Sequence, residues 1–420
     1  MKEKAISVLV IWLVLVGTFL SSFSISSISG QGDEHVETRI GTEIQISNAS
    51  GDQSYPAIYG NLIVWEDYRN WSSRYDIYMY DLDTGEETRI TINDYDQTAP
   101  AIHGNRIVWE DNRNDNMDIY MYDLSTGTET PICPNPTNQY DPAIYDDKIV
   151  WSSFGGIYLY NLTNQTEIRI NDDYALFGKN PDIHGDRIVW QEKKNENYDI
   201  YLYDLSTGSE TQITTGHINY TYPAIYGNYI IYTSSVNSGE FLIYLFDLTT
   251  GLEKQIANAI THDLRPAIYD NLIVWEDAEN HTGAFIRDVY LYNIITDTEI
   301  RVSNNTANQI KPDIYGNRIV WMDDRNGGSW DIYICEISVM INGEEDGRGD
   351  DKDDIFPLLY SLIAIIITIV FIIFLVFIIK AKKKSTIQKE DEEKWTRCPK
   401  CKARLKKKNL KSHIKKVHKK

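Results

Sequence analysis

Short apolar runs alternate with polar turns over most of the chain, and their order repeats. The phrase PAIYGNLIVWED from Pro56 returns almost unchanged as PAIHGNRIVWED from Pro100. Seven copies begin at prolines that lie 39 to 46 residues apart: Pro56, Pro100, Pro142, Pro181, Pro223, Pro266 and Pro312. Self-similarity at this period indicates that one small supersecondary unit is repeated side by side.

Each repeat divides into four short strands. In the first unit, a piece around Ala57–Tyr59 joins through a Gly-Asn turn to a strand near Leu62–Glu66. A polar loop leads to a third strand near Ile77–Tyr80, and an Asp-Leu-x-Thr-Gly turn follows, in which Gly85 suits a positive φ. The fourth strand contains Thr and Ile.

Strands two and three of each unit are apolar on both faces, so both faces must pack against other parts of the protein. Four-stranded sheets packed face to face in a ring meet this demand, and the period fits one propeller blade. The segment from Thr42 starts with a fourth strand that has no unit of its own, and the seventh unit lacks one. We therefore predict an all-β, seven-bladed β-propeller closed by the strand near Glu43–Ser47, with a solenoid or a six-bladed ring as alternatives.

The repeats resemble those of the TolB-like β-propeller family, which also occur in prolyl-oligopeptidase-type peptidases. The resemblance covers about residues 42–337 and rests on the repeat signature, as in DIYMYDLDTGEETRI from Asp76. It implies a scaffold that contacts a protein or ligand. Peptidases of this type have a separate hydrolase domain, which we do not expect here because the chain has no Gly-x-Ser-x-Gly elbow.

Two apolar segments flank the repeats. Residues 5–20 follow Lys2 and Lys4 and precede a Ser-rich stretch, which is typical of a signal peptide; an uncleaved anchor is the alternative. Residues 355–379 are uncharged and long enough to cross a bilayer with some tilt.

Charge predicts the orientation of this span. The chain has a net charge of -20, yet residues 380–420 contain 18 basic and only 4 acidic side chains. Aspartates precede the span and lysines follow it, so the positive-inside rule places the tail in the cytoplasm. We predict a single-pass plasma-membrane protein with an extracellular N-terminal domain and a cytoplasmic C-terminal tail.

These features give a domain order along the chain. The expected parts are a signal peptide (1–30), the propeller (31–341), an acidic linker (342–354), a transmembrane helix (355–379), a charged juxtamembrane linker (380–394) and a zinc finger (395–420).

The tail contains the sharpest chemical motif, with the spacing C-x2-C-x11-H-x4-H. Cys398, Cys401, His413 and His418 can close a tetrahedron around Zn²⁺, which resembles a two-cysteine, two-histidine zinc finger of the small ββα type. So short a segment should fold only with its metal. Its lysines favour contact with an acidic protein or anionic lipid over binding of nucleic acid, because one finger reads only about three base pairs.

Acidic pairs follow the tryptophan of several repeats, and they allow two interpretations. The pairs are Glu66-Asp67, Glu110-Asp111, Glu276-Asp277 and Asp323-Asp324. Their oxygens could hold Ca²⁺, but the interpretation we prefer is that they cap turns and pair with Arg69, Arg113 or Arg325.

The repeated aromatic positions favour a structural role. Six tryptophans hold one repeat position: Trp65, Trp109, Trp151, Trp190, Trp275 and Trp321. Packing between blades is the favoured role, and a sugar-stacking belt is the alternative. His103 and His184 stand at strand ends in place of tyrosine. A disulfide between Cys133 and Cys335 is not expected, since blades two and seven are not neighbours.

Asn-x-Ser/Thr sequons give weak support for an outside location. The candidates are Asn48, Asn70, Asn161, Asn164, Asn219, Asn280 and Asn304.

The residues favour a non-enzymatic surface protein whose propeller binds an extracellular protein or glycan in adhesion or recognition. A structural envelope component is a second hypothesis. An enzyme in the propeller channel is a third, and it would require a cluster of unlike residues that breaks the repeat on one rim. No such cluster is evident from the repeat alignment.

Overall fold

A computed structural model describes most of the repeat region and a few residues of the tail. The described residues are 35–69, 74–154, 156–171, 178–194, 196–237, 240–260, 264–281, 284–342, 395–399, 401, 404–406, 409 and 411. By its contacts the chain divides into two units, Met1–Gly343 and Glu344–Lys420.

The first unit is a seven-bladed β-propeller, in agreement with the predicted fold. Two N-terminal strands are β1 (His35–Ile40) and β2 (Ile44–Gln45). Blades one to three contain β3 (Gln53–Tyr59), β4 (Leu62–Asp67), β5 (Asp76–Asp81), β6 (Glu86–Arg89), β7 (Gln97–His103), β8 (Arg106–Asp111), β9 (Asp118–Asp123), β10 (Thr128–Ile132), β11 (Gln139–Tyr145), β12 (Lys148–Ser153), β13 (Gly156–Asn161) and β14 (Thr166–Arg169).

The remaining blades follow the same order. They contain β15 (Lys179–His184), β16 (Arg187–Glu192), β17 (Asp199–Asp204), β18 (Ser209–Gln212), β19 (Tyr220–Tyr226), β20 (Tyr229–Asn237), β21 (Glu240–Asp247), β22 (Leu252–Ile260), β23 (Ala267–Tyr269), β24 (Leu272–His281), β25 (Ala284–Asn293), β26 (Thr298–Arg301), β27 (Gln309–Tyr315), β28 (Arg318–Asp323) and β29 (Asp331–Asn342). Blades one to six are four-stranded antiparallel meanders, and the inner strands of neighbouring blades contact one another around the ring.

The core lies between blades, as expected for strands that are apolar on both faces. In the first blade, Ile63, Val64 and Trp65 are all fully buried. Val64 packs with Ile107 and Trp109 of the second blade, and this arrangement recurs from blade to blade. The six repeated tryptophans are 0–1% exposed, which confirms that they are core residues. Burying a side chain of this size stabilises the fold by roughly 2–3 kcal/mol.

The N-terminal segment closes the ring. Ile44 and Gln45 pair with Ile334 and Tyr333 of β29, as predicted for the strand near Glu43–Ser47. The Ser47 hydroxyl accepts a hydrogen bond from the Ile332 amide at 2.8 Å. In the first blade, the Thr91 hydroxyl accepts the equivalent hydrogen bond from the Ile77 amide. Ser47 therefore stands at the position in the repeat that Thr91 occupies in the first blade.

An additional closing strand was not predicted. β1 pairs antiparallel with the far end of β29, from His35 opposite Asn342 to Ile40 opposite Ile337. Gly41 lies between the two closing strands and its amide donates to the Glu336 carbonyl. A Cβ at Gly41 would lie 2.6 Å from that carbonyl oxygen, so the close approach requires glycine.

Little of the second unit is described. β30 (Trp395–Arg397) and β31 (Arg404–Lys406) pair antiparallel, with Cys398 and Cys401 between them in sequence. No helix in the described part of the chain is long and apolar enough to span a membrane. The predicted signal peptide (1–30) and the predicted transmembrane segment (355–379) both lie outside the described residues.

Candidate functional site

The inner strands of the seven blades line a channel whose two ends differ. At one end, each inner strand finishes with a tyrosine or histidine. These aromatic side chains form a closed ring, here called the collar: Tyr59, His103, Tyr145, His184, Tyr226, Tyr269 and Tyr315.

Successive collar rings touch without a gap. Their centroids are 4.4 to 4.8 Å apart around the whole circle. Burial raises the pKa of the Tyr269 hydroxyl, and the neighbouring Tyr226 and Tyr315 hydroxyls add to this effect. His103 and His184 also act as acceptors, because their Nδ1 atoms receive hydrogen bonds from the Asp146 and Gly227 amides. Burial lowers the pKa of both histidines, which favours the neutral form that can accept these bonds.

The other end is open and contains a cavity of about 300 Å³, here called the mouth. Its walls are formed by the seven repeated prolines and by the residue before each of them. Those preceding residues, here called the rim, are Tyr55, Ala99, Asp141, Asn180, Tyr222, Arg265 and Lys311. The repeat is broken at this position, because the seven units present residues of six kinds on one edge of the channel.

Most rim residues are held in an unusual backbone conformation. Six of them have φ between 48° and 54°: Tyr55, Ala99, Asp141, Asn180, Tyr222 and Lys311. This left-handed region costs a residue with a side chain roughly 1–2 kcal/mol, and the position before proline does not normally adopt it. The strands shift register at the same point, as between Ser54 and Ala57 in the first blade. Strain of this kind persists only where neighbouring groups impose it.

In four cases, a side-chain carboxylate or amide of the preceding blade holds the rim residue in this conformation by accepting a hydrogen bond from its backbone amide. Glu66 Oε1 accepts from the Ala99 amide at 2.7 Å, and Glu110 Oε1 accepts from the Asp141 amide at 2.8 Å. Gln191 Oε1 accepts a hydrogen bond from the Tyr222 amide at 2.8 Å, and Glu276 Oε2 accepts one from the Lys311 amide at 2.8 Å. Burial raises the pKa of Glu66 to about 7 and that of Glu110 to about 8. These two glutamates hold two of the seven rim positions, and their pKa values lie near neutral pH.

The rim is chemically divided. Four consecutive positions around the ring are aromatic or basic, namely Tyr222, Arg265, Lys311 and Tyr55. The Arg265 guanidinium lies 4.9 Å from the centre of the Tyr222 ring, and Lys311 Nζ lies 5.7 Å from that of Tyr55. The other three positions are Ala99, Asp141 and Asn180, which are small, acidic or amide residues.

Two aspartates line the deeper part of the cavity. Asp182 and Asp313 replace the alanine that follows the proline in the other units. Each accepts a backbone hydrogen bond from the next blade, Asp182 from Ile225 at 2.8 Å and Asp313 from Ile58 at 2.9 Å. Burial raises the pKa of both to about 6, and the negative charge of Asp313 adds to the effect on Asp182. Both residues are half-buried, and both line the cavity.

The predicted acidic pairs serve mainly as structural clips. Asp67 accepts from the Trp65 indole at 2.9 Å and pairs with Arg69 at 2.6 Å. The same contacts join Asp111 to Trp109 and Arg113, and Asp323 to Trp321 and Arg325. This confirms the predicted pairing with Arg69, Arg113 and Arg325. Among the described side chains, no group of three or more His, Cys, Asp or Glu could hold a metal ion, and calcium in these loops stays a prediction.

The other predicted sites are only partly described. Asn48, Asn164, Asn219 and Asn304 are exposed, and Asn161 is half-buried. Asn70 and the side chain of Asn280 lie outside the described residues. Cys398 is buried and Cys401 exposed, whereas His413 and His418 are not described, so the zinc site stays a prediction.

Comparison with solved structures identifies the class of fold. An oligogalacturonate lyase in complex with manganese has a TM-score of 0.55 and 13% identity, over 72% of this chain and 96% of that one. The Pyrococcus horikoshii acylaminoacyl peptidase has a TM-score of 0.53 and 15% identity, over 69% of this chain and 52% of the peptidase. TolB from Acinetobacter baumannii gives a TM-score of 0.45 and 16% identity over 57% of this chain and 62% of TolB. No family model and no curated protein sequence matches the chain.

The protein is therefore a seven-bladed β-propeller, and the expectation of a non-enzymatic adhesion protein is wrong. The solved structures that align with most of this chain at a TM-score above 0.5 include enzymes, among them the lyase and the peptidase. We expected no enzyme because the repeat alignment shows no cluster of unlike residues on one rim. Such residues do gather at the mouth, at the position just before each repeated proline. The repeat phrase begins at the proline, so the alignment does not include this position.

Proposed function

We propose that the protein is an enzyme that acts on a small, carboxylate-bearing substrate bound in the mouth. One observation supports this most strongly: the seven blades diverge at the open end of the channel, where two cations and three carboxylates line one cavity. A repeated scaffold needs no such differences for stability. Arg265 and Lys311 would neutralise the carboxylate of the substrate, since charge-assisted hydrogen bonds to Arg and Lys are the strong ones.

Asp182 and Asp313 are the proposed proton donors and acceptors. A carboxyl group with a pKa of about 6 exchanges protons readily near neutral pH, which suits general acid–base chemistry. The lyase of similar fold was solved with manganese. Among the described side chains of this chain, no group of three or more His, Cys, Asp or Glu could hold a metal ion.

Binding measurements test the proposal. Isothermal titration of the full-length protein with small acids, such as galacturonate and glutamate, and with their neutral counterparts should yield binding for acids only. Replacing Arg265 and Lys311 by alanine should weaken that binding at least about tenfold. His103→Tyr, which changes the collar, is the matched control and should bind as the wild type does. Equal affinity for charged and neutral molecules would refute the proposal.

We also propose that the propeller is anchored to the plasma membrane by residues 355–379, with the tail in the cytoplasm. The uncharged length of that segment and its flanking charges support this. Protease treatment of intact cells should remove the propeller and spare the tail. Occupied sequons such as Asn164 and Asn219 would support the same orientation.

For the tail we propose a single Zn²⁺ held by Cys398, Cys401, His413 and His418. The spacing of the four residues supports this, and β30 and β31 flank the two cysteines. The basic surface would then contact anionic lipid or an acidic protein rather than nucleic acid. Metal analysis of the protein should give one zinc per chain, and none after replacement of both cysteines by serine.

A further inference from the structure

The lining of the mouth limits what can occupy it. Its lining is made of rim residues, the repeated prolines and the residues that follow them, such as Asp182 and Asp313. Collar residues are not part of that lining. The collar lies farther along the inner strands, where tilted aromatic rings touch in a closed circle.

The volume of the mouth permits only a small occupant. About 300 Å³ is at the lower end of the roughly 300–1,000 Å³ that small-molecule sites have. One unit of a polymer, or two, would fill it. A chain that lies across the opening would not reach Asp182 and Asp313, which lie below the prolines.

The two sides of the mouth favour different parts of a ligand. On one side Arg265 and Lys311 stand next to the rings of Tyr222 and Tyr55, and Tyr55 is 40% exposed. Cations beside aromatic surfaces suit a ring that has a carboxylate at one edge and an apolar C–H face. The backbone on this side is fixed, because Gln191 holds Tyr222 and Glu276 holds Lys311.

The opposite side offers groups that bind hydroxyls. Asp141 and Asn180 face the cavity, and Asp141 Oδ2 also accepts from Ser152 Oγ at 3.2 Å. The small side chain of Ala99 leaves space in the cavity beside Asp141 and Asn180. A carboxylate ligand placed against Asp141 would be repelled, so the charge distribution orients an acidic ligand with its carboxylate towards Arg265 and Lys311.

We propose that the mouth binds the terminal residue of an acidic sugar chain, which enters end-on with its carboxylate against Arg265 and Lys311 and its hydroxyls towards Asp141 and Asn180. This inference rests on the proposed function and narrows its substrate. An acidic sugar combines a carboxylate, several hydroxyls and a C–H face in one ring. An acidic peptide offers the carboxylate but not the hydroxyls.

The test uses the full-length protein and galacturonic acid oligomers of defined length. A trimer, a hexamer and a dodecamer are titrated at equal total sugar concentration. End-on binding depends on the number of chain ends, so occupancy far from saturation should fall about fourfold from trimer to dodecamer. Binding along the chain would instead give occupancy that stays constant or rises with length, and that result would overturn the inference while leaving the proposed function intact.

Variants and a peptide complete the design. Arg265→Ala should weaken binding of the trimer at least about tenfold, Arg265→Lys should restore part of it, and His103→Tyr, in the collar, should change it little. An acidic peptide, triglutamate, should bind more weakly than the trimer of galacturonic acid. Tighter binding of the peptide would overturn the choice of a sugar. If no oligomer and no galacturonate binds while glutamate does, the choice of a sugar is overturned and the proposed function stands; if no small acid binds the folded protein, both proposals are overturned.

Discussion

The polar residues of this propeller fall into two groups: those that recur at the same position in several blades and those that differ from blade to blade. Where the same residue returns in several blades, as Asp67, Asp111 and Asp323 do, it holds the indole of the repeated tryptophan and a nearby arginine. Where the residue changes from blade to blade, as on the rim, structural necessity does not explain its identity. This contrast is the reason for placing function at the mouth.

The tryptophan–aspartate–arginine clip predicts a large effect of one substitution. Asp111→Ala would leave the buried Trp109 indole without its acceptor and would remove one of the two carboxylates that pair with Arg113. We expect a loss of about 3 kcal/mol in the free energy of unfolding, measured as a lower Tm. Ser153→Ala, at the equivalent position of the third blade, is the control and should cost about 1 kcal/mol. Similar losses for both variants would contradict the clip as described.

Buried glutamates at the rim predict a pH dependence of stability. The folded-state pKa of Glu66 and Glu110, about 7 and 8, lies above the ordinary value near 4.5, so the folded protein binds these protons more tightly than the unfolded chain does. Stability from this source is complete below about pH 4.5 and is lost as the pH rises through 7 and 8, by roughly 1–3 kcal/mol per group.

The substitutions Glu66→Gln and Glu110→Gln test this dependence. Gln191 already holds the Tyr222 amide in the fourth blade, so glutamine fits the position. Both variants should fold, and the decline of Tm between about pH 5 and 8 should become shallower. An unchanged slope would mean that these carboxylates do not titrate in that range.

At the level of strands, closure depends on the N-terminal segment. Glu43 forms an ion pair with Arg325 at 2.7 Å, as Glu87 does with Arg69 in the first blade. The fourth strand of the seventh blade thus comes from the other end of the propeller sequence. This arrangement joins the first and last blades through backbone hydrogen bonds rather than through side chains alone.

Removing the closing strands should therefore open the ring. Deletion of residues 31–47 exposes the edge of β29, and we expect Tm to fall by an amount on the order of 10 °C, with faster proteolysis of the seventh blade. Deletion of residues 31–40 removes only β1 and should cost clearly less. If the two deletions have equal effects, β1 is the main closing element and β2 is secondary.

The repeat made most of the strand pattern predictable. Its period, its doubly apolar strands and the unpaired segment after Thr42 led to seven blades and to the closing strand. β1 could not be predicted because His35–Ile40 has no counterpart in the other units. The rim was missed for a physical reason: its residues are about forty positions apart, and only closure of the ring brings them to one cavity.

At the scale of the whole propeller, the channel has one uniform, aromatic end and one variable end. At the uniform end, the aromatic rings of the seven collar residues pack against one another. The two histidines of the collar also accept backbone hydrogen bonds. The mouth concentrates cations, carboxylates and strained backbone. An enzyme needs such an asymmetry, because a substrate must be held in one orientation next to groups that exchange protons.

A search for turnover by the full-length protein tests the enzymatic role of the mouth most directly. The protein is incubated near neutral pH with galacturonic acid oligomers, and the products are separated by mass. We predict progressive shortening from chain ends, abolished in the Arg265→Ala/Lys311→Ala double variant and retained in His103→Tyr. If the double variant is as active as the wild type, the mouth is not the active site; if the folded protein leaves every oligomer intact, the acidic sugar chain is not its substrate.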